Sequence, residues 1–197
     1  MAYEVKNYDG LLGLKGFSDI LLKNHFTLYS GYVANTNKLV DKMNAMIKEG
    51  KTGEPEYAEL KRRFGWEFNG MRLHELYFSN LTKDPISVEH AKKVHKKMID
   101  DFGSVENFEK DFKSSGAMRG IGWVITYYDI SAKKIFNIWV NEHDVGHLSG
   151  CVPILVLDVF EHAYMVEYGL KKADYITSFF SAIDWKEVEK RIEWVKD

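Results

Sequence analysis

The chain has 197 residues, 45% of them hydrophobic and 14% aromatic, with a formal net charge of −2 and a pI near 6.4. That is enough for one domain or two small, closely packed ones around a buried core. The small, mixed-sign charge gives no reason to expect nucleic acid or an anionic membrane as a partner. A lone cysteine, Cys151, excludes an internal disulfide. No apolar run approaches the roughly 20 residues that span a bilayer. The start, MAYEVKNYDG, lacks a basic region followed by an apolar run, so no secretory signal is visible and the expected setting is reducing and cytoplasmic.

In chain order, residues 1–16 are short apolar pieces broken by Gly10, Gly13 and Gly16, an irregular arm. Ser18 is an N-cap for a helix expected to run to about Ile47. Residues 50–55 form a turn, and a second helix is expected from about Tyr57 to Leu81, making an antiparallel hairpin. A boundary at 82–85 divides an N-terminal helical hairpin domain, 1–84, from a C-terminal domain, 85–197. Ser87 is expected to cap a polar helix to about Asp101, and Ser104 another from Val105 to about Lys113. The period then becomes that of strands at 122–129, 134–140 and 153–158, rich in β-branched and aromatic residues. Helices are expected from about Val159, with breaks near Gly169 and Asp184. The fold class is therefore α+β: a long helical hairpin packed on a three-stranded antiparallel sheet with surrounding helices.

Among the seven histidines, placement decides which could do chemistry. Asp158 and His162 are four apart where a strand meets a helix, a spacing that puts both side chains on one helix face. The surroundings, Phe160, Tyr164, Phe179, Phe180 and Trp185, make a buried aspartate costly unless something positive pairs with it. A metal ion is one solution, and an internal Asp–His hydrogen bond is another. His25 and His74 sit on the apolar faces of the two long helices. Either alone reads as a core histidine. Two inward histidines together with an Asp/His pair suit iron, manganese or zinc. His90 and His95 lie on a lysine-rich, solvated face. His143 and His147 fall in the loop 141–153, where a surface position is the default for His147.

Asp-Val-Phe-Glu-His-Ala-Tyr at 158–164, Asp-Tyr-Ile-Thr-Ser-Phe-Phe at 174–180, Asp184-Trp185 and Gly-Ile-Gly-Trp at 120–123 resemble the signature of the iron/manganese superoxide dismutases. The resemblance is strong over the last 80 residues and loose before residue 70. It implies His25, His74, Asp158 and His162 as ligands of one iron, or else manganese, per chain, with water or hydroxide in a fifth place. It implies an enzyme that converts superoxide to oxygen and hydrogen peroxide by one-electron cycling of that metal. His143 falls at the outer-sphere position that hydrogen-bonds the bound solvent, and Gly70 where typical iron members supply a glutamine; the pair favours iron or a site that accepts either metal. Glu161 matches a glutamate that reaches across a subunit interface, which implies a homodimer or homotetramer.

Departures from the family pattern cluster at the entrance. The usual His-x-x-x-His-x-x-x-Tyr reads His25, Tyr29, Val33 here, with Tyr32 one residue early, so Tyr29 and Tyr32 are both candidate gateway residues. Leu73 replaces an asparagine, and Phe78 and Phe160 replace tryptophans. Lys23, Arg72 and Lys171 are candidate cations for collecting an anionic substrate. A non-catalytic or weakly active metal-binding homologue is the alternative function.

Overall fold

The computed structural model describes residues 2–193; Met1 and residues 194–197, the outer ends of the two expected domains, lie outside the described residues. Helix α1 spans Asp19–Lys48, and the Ser18 hydroxyl accepts the Leu21 N–H at 3.3 Å, closing its first turn as expected. Asp19 in the first turn and Lys48 in the last complement the helix dipole. Helix α2 spans Pro55–Ser79 and begins with proline, whose missing N–H costs nothing there. The two helices pack along each other as an antiparallel hairpin. The second half of α2, with Gly70, Met71, Leu73, His74, Tyr77 and Phe78, is buried.

The single helix expected after Ser87 is split. Residues Val88–His90 make one tight turn, and α3 runs over Lys92–Phe102. The reason is local: the Ser87 hydroxyl bonds to Glu89 Oε2 at 2.8 Å rather than to a backbone N–H, and Ala91 leaves the helical region. Ser104 does cap α4, accepting the Asn107 N–H at 3.1 Å, and α4 continues through Val105–Ala117.

Strands β1 (Trp123–Asp129), β2 (Lys134–Val140) and β3 (Cys151–Asp158) form one antiparallel sheet in the order β2-β1-β3. The register pairs Trp123 with Val140 on one side and with Asp158 on the other. The first residue of the central strand thus stands between the end of β3 and the start of the loop after β2. Gly122, just before it, has φ +127°, and a Cβ there would lie 2.0 Å from the Val140 carbonyl oxygen, so only glycine permits this approach.

Helices α5 (Met165–Tyr168), α6 (Lys172–Ser181) and α7 (Trp185–Glu193) complete the fold. Arg191 of α7 is buried, and its guanidinium donates to Asn80 Oδ1 at 2.6 Å, Ile154 O at 3.0 Å and Leu76 O at 3.0 Å. One side chain therefore ties the last helix to α2 and β3, the two elements that carry His74 and Asp158.

Candidate metal centre

Asp158 ends β3, and its carboxylate is fully buried. The sequence spacing suggested that Asp158 and His162 share a helix face, but no helix runs through them. Asp158 Oδ1 accepts the Phe160 N–H at 2.8 Å, the chain stays extended through Phe160, and His162 follows in a tight turn at Glu161–Ala163. The short side-chain turn competes successfully with helix formation, a common habit of aspartate. It also leaves Oδ2 as the free oxygen.

Three imidazole nitrogens converge on that oxygen. His25 Nε2 lies 3.2 Å away, His162 Nε2 3.1 Å and His74 Nε2 3.6 Å. The four ligand atoms lie within 4.8 Å of one another. Burial alone would raise the Asp158 pKa, but the charge and hydrogen bonds of His162 and His25 outweigh it and hold the carboxyl far below the usual range. Burial pushes the His25 pKa down against the opposing pull of Asp158. His74 is lowered well below its ordinary value by burial and then by repulsion from His25.

His74 supplies the sharpest observation. Its Nδ1 lies 2.5 Å from the Gly70 carbonyl oxygen, which can only accept, so Nδ1 carries the hydrogen. Nε2 is then a bare lone pair, and it is a buried nitrogen without a hydrogen-bond partner. A lone pair aimed at an ionised carboxylate is unfavourable unless a cation sits between them. Three imidazoles and one carboxylate fit iron, manganese or zinc.

Beside this cluster, His143 is fully buried in the loop after β2. Its Nδ1 accepts from Trp123 Nε1 at 3.1 Å, so its single ring hydrogen is on Nε2, 2.8 Å from the Tyr32 hydroxyl. Burial lowers the His143 pKa to about 4, which keeps the ring neutral near pH 7. Its Nε2–H therefore donates to the Tyr32 oxygen.

The two candidate tyrosines part company. Tyr32 stacks on His74 with ring centroids 5.1 Å apart, whereas the Tyr29 hydroxyl donates to Glu75 Oε1 at 3.0 Å and accepts from the Lys6 N–H. Tyr29 thus belongs to a separate polar cluster with Lys6, Arg72 and Glu75, and Arg72 is spent there on an ion pair. Helix α1 is unbroken past both residues. Tyr32 fits because of Gly70: a Cβ there would meet the Tyr32 ring at 2.6 Å.

Several contributors carried no sequence signal. Trp123 as a donor to His143 is fixed only by sheet register. Arg63, lying over the Trp66 ring at 3.9 Å and ion-paired with Glu67, is the cation whose charge reaches both Tyr32 and His143. His147 is half-buried and bonded on both ring nitrogens rather than free on the surface.

Residues 90–191 match the family model described as iron/manganese superoxide dismutases, C-terminal domain. The chain is 35% identical over 185 residues to a protein named superoxide dismutase (Fe) of Aquifex pyrophilus, covering 91% of this chain and 86% of the relative. It is 37% identical over 175 residues to one named superoxide dismutase (Mn) of Haloarcula marismortui, covering 88% and 84%. A third, named superoxide dismutase (Fe), of Sulfolobus acidocaldarius, is 28% identical over 91% of this chain and 85% of its own length.

Proposed function

The chain belongs to the iron/manganese superoxide dismutase family, and from that premise we propose that it converts two superoxide ions and two protons to oxygen and hydrogen peroxide. In this reading His25, His74, Asp158 and His162 hold one iron or manganese per chain. The observation that carries it is the bare His74 Nε2, facing an ionised carboxylate oxygen on which two further imidazole nitrogens converge. The relatives include proteins named for each metal; iron is the preferred assignment, resting on Gly70 and His143.

The metal, when bound, supplies one-electron transfer in both directions. The protein's own residues hold it and manage protons. Asp158 supplies the one formal negative charge of the ligand set, and His25, His74 and His162 supply imidazole nitrogens. Tyr32 keeps its proton at neutral pH, because burial and then the charge of Asp158 raise its pKa. Since His143 Nε2–H donates to the Tyr32 oxygen, the Tyr32 hydroxyl hydrogen is not spent on His143. It is available to a substrate oxygen, with His143 ready to reorganise behind it. Tyr32 and His143 are the proposed catalytic pair. Tyr29 is proposed instead to brace the far side of α2 through Glu75, the neighbour of His74.

The test is superoxide consumption by protein of measured metal content. About one iron or manganese per chain with rapid, metal-dependent turnover is the expected result. A full site with negligible turnover would replace this reading with a non-catalytic homologue.

The proposal extends to assembly and setting. Glu161 is exposed beside the partly exposed His162, and Met165, Val166 and Leu170, later in the same stretch of chain, are 40%, 55% and 93% exposed. Exposed apolar side chains in this stretch fit a surface covered by a second copy of the chain, so a homodimer or homotetramer with Glu161 at the interface is expected. A monomer by sedimentation at micromolar concentration would overturn it. The division into 1–84 and 85–197 is kept as a proposal; it places two ligands on each side of the exposed stretch 83–85. Among the described residues no helix is long and apolar enough to cross a membrane. A cytoplasmic setting is proposed on the free thiol of Cys151, and recovery of the protein from an outer compartment would contradict it.

A further inference from the structure

The loop that presents His143 is held in an unusual way. Glu142, just before it, has φ +56°, a left-handed conformation that costs a non-glycine residue about 1 kcal/mol or more. A short bridge between Asn141 and Val145 closes the turn. Something must hold His143 in place against that strain.

Its ring is held by Trp123, and its backbone is held by His147. His147 Nε2 lies 2.7 Å from the His143 carbonyl oxygen, and His147 Nδ1 lies 2.5 Å from the Tyr127 hydroxyl. The carbonyl only accepts, so His147 Nε2 carries the hydrogen. Nδ1 is then an acceptor, and Tyr127 must donate to it. The Asn69 side chain of α2 lies 3.4 Å from the same Nε2, a packing contact and not a hydrogen bond, since both nitrogens are donors.

The spacing on the two sides matches. Trp123 and Tyr127 are four apart on β1, hence on one face of the strand. His143 and His147 are four apart in the loop. Trp123 donates to the first histidine and Tyr127 to the second, so two parallel bonds pin the loop to the strand that also pairs with Asp158. A bulge at Thr126/Tyr127 in the pairing of β1 with β3 lies at the second of these bonds.

We propose that His147 and Tyr127 are positioning residues that set the placement of His143 against Tyr32, by fixing the His143 backbone carbonyl through a defined His147 tautomer. This rests on the dismutase reading for its consequence in turnover, and on geometry alone for the placement itself. Small displacements of a catalytic group cost large factors in rate.

The experiment uses His147→Leu, His147→Gln and Tyr127→Phe in the full chain. In metal-free protein, nitrogen-15 spectra of the histidine rings should show the Nε2–H form for both His143 and His147. In His147→Leu the His143 Nε2–H should exchange with water at least roughly 10-fold faster, and in the metal-loaded protein turnover should fall about 10–100-fold while metal content stays at about one per chain. Tyr127→Phe keeps the ring and should give the same changes, smaller in size. His147→Gln should restore most of both, because its amide can donate to the carbonyl and accept from Tyr127. The proposal is overturned if His143 exchange is unchanged in the Leu and Phe variants, if His147 carries its hydrogen on Nδ1, or if the Gln variant is as impaired as the Leu variant. If the wild-type protein has no superoxide turnover, the dismutase reading falls while the exchange measurements still decide the positioning role.

Discussion

Replacing His74 with alanine should abolish stoichiometric iron or manganese binding, and superoxide turnover with it. Disturbing residues around a metal's direct ligands typically weakens metal binding about 10–100-fold, so loss of a direct ligand should exceed roughly 100-fold. The expectation is specific because the His74 ring has no other use for Nε2: Nδ1 is committed to the Gly70 carbonyl, and Nε2 is buried without a partner. The remaining donors, His25, Asp158 and His162, would face a gap on the α2 side. Metal loading should raise the wild-type melting temperature, since a ligand bound only to the folded state stabilises it. It should leave the variant's melting temperature where it was. A His74→Ala protein that folds and still retains one metal per chain would remove His74 from the ligand set.

The second large effect is expected at Gly70, and here two physical terms oppose each other. Alanine is preferred to glycine inside a helix by about 1 kcal/mol, so on helix propensity alone Gly70→Ala should stabilise α2. The added Cβ would, however, sit 2.6, 2.8 and 3.0 Å from three ring carbons of Tyr32. That ring has little freedom to give. It is stacked on His74, it meets Trp66 with centroids 5.5 Å apart, and its hydroxyl is held by His143. Overpacking of this kind costs about 1–3 kcal/mol and should outweigh the gain, with Tyr32 displaced from His143 and turnover lowered. The cycle with Tyr32→Ala makes the point cleanly. With the ring absent, Gly70→Ala should become stabilising. A substitution that stabilises to the same degree with and without Tyr32 would show that the glycine is not there to seat the ring.

These two residues show how far the sequence could be read. The long hairpin, the three strands and the inward-facing histidines were legible because hydrophobic period and capping are local properties. Ser18 and Ser104 cap helices where the sequence placed them. Ser87 misled, since its hydroxyl bonds to Glu89 instead of the backbone. Asp158 and His162 were rightly paired by spacing but for the wrong local reason: a turn through the Phe160 N–H brings them together, not a helix face.

What was not legible depends on contacts between distant segments. The choice between Tyr29 and Tyr32 needed the volume at Gly70, 38 positions after Tyr32, and no periodicity in α1 reports on it. His147 looked like a surface residue because its partners, Tyr127 and the His143 carbonyl, are set by sheet register and loop closure. The cation near the Tyr32–His143 pair is Arg63, whereas Arg72, equally basic in sequence, is spent on Glu75. The sequence carries residue chemistry, but which of two like residues reaches a site is a property of packing.

The proposed chemistry requires that His25, His74, Asp158 and His162 ligate one redox metal. A crystal structure of metal-loaded protein, with anomalous scattering recorded at the iron and manganese edges, decides this. One strong peak per chain, in bonding contact with three histidine Nε2 atoms and Asp158 Oδ2, is the expected result, and the edge at which it appears names the metal. An empty cluster in protein shown to carry iron or manganese, or a peak bound elsewhere on the chain, would refute the ligand assignment.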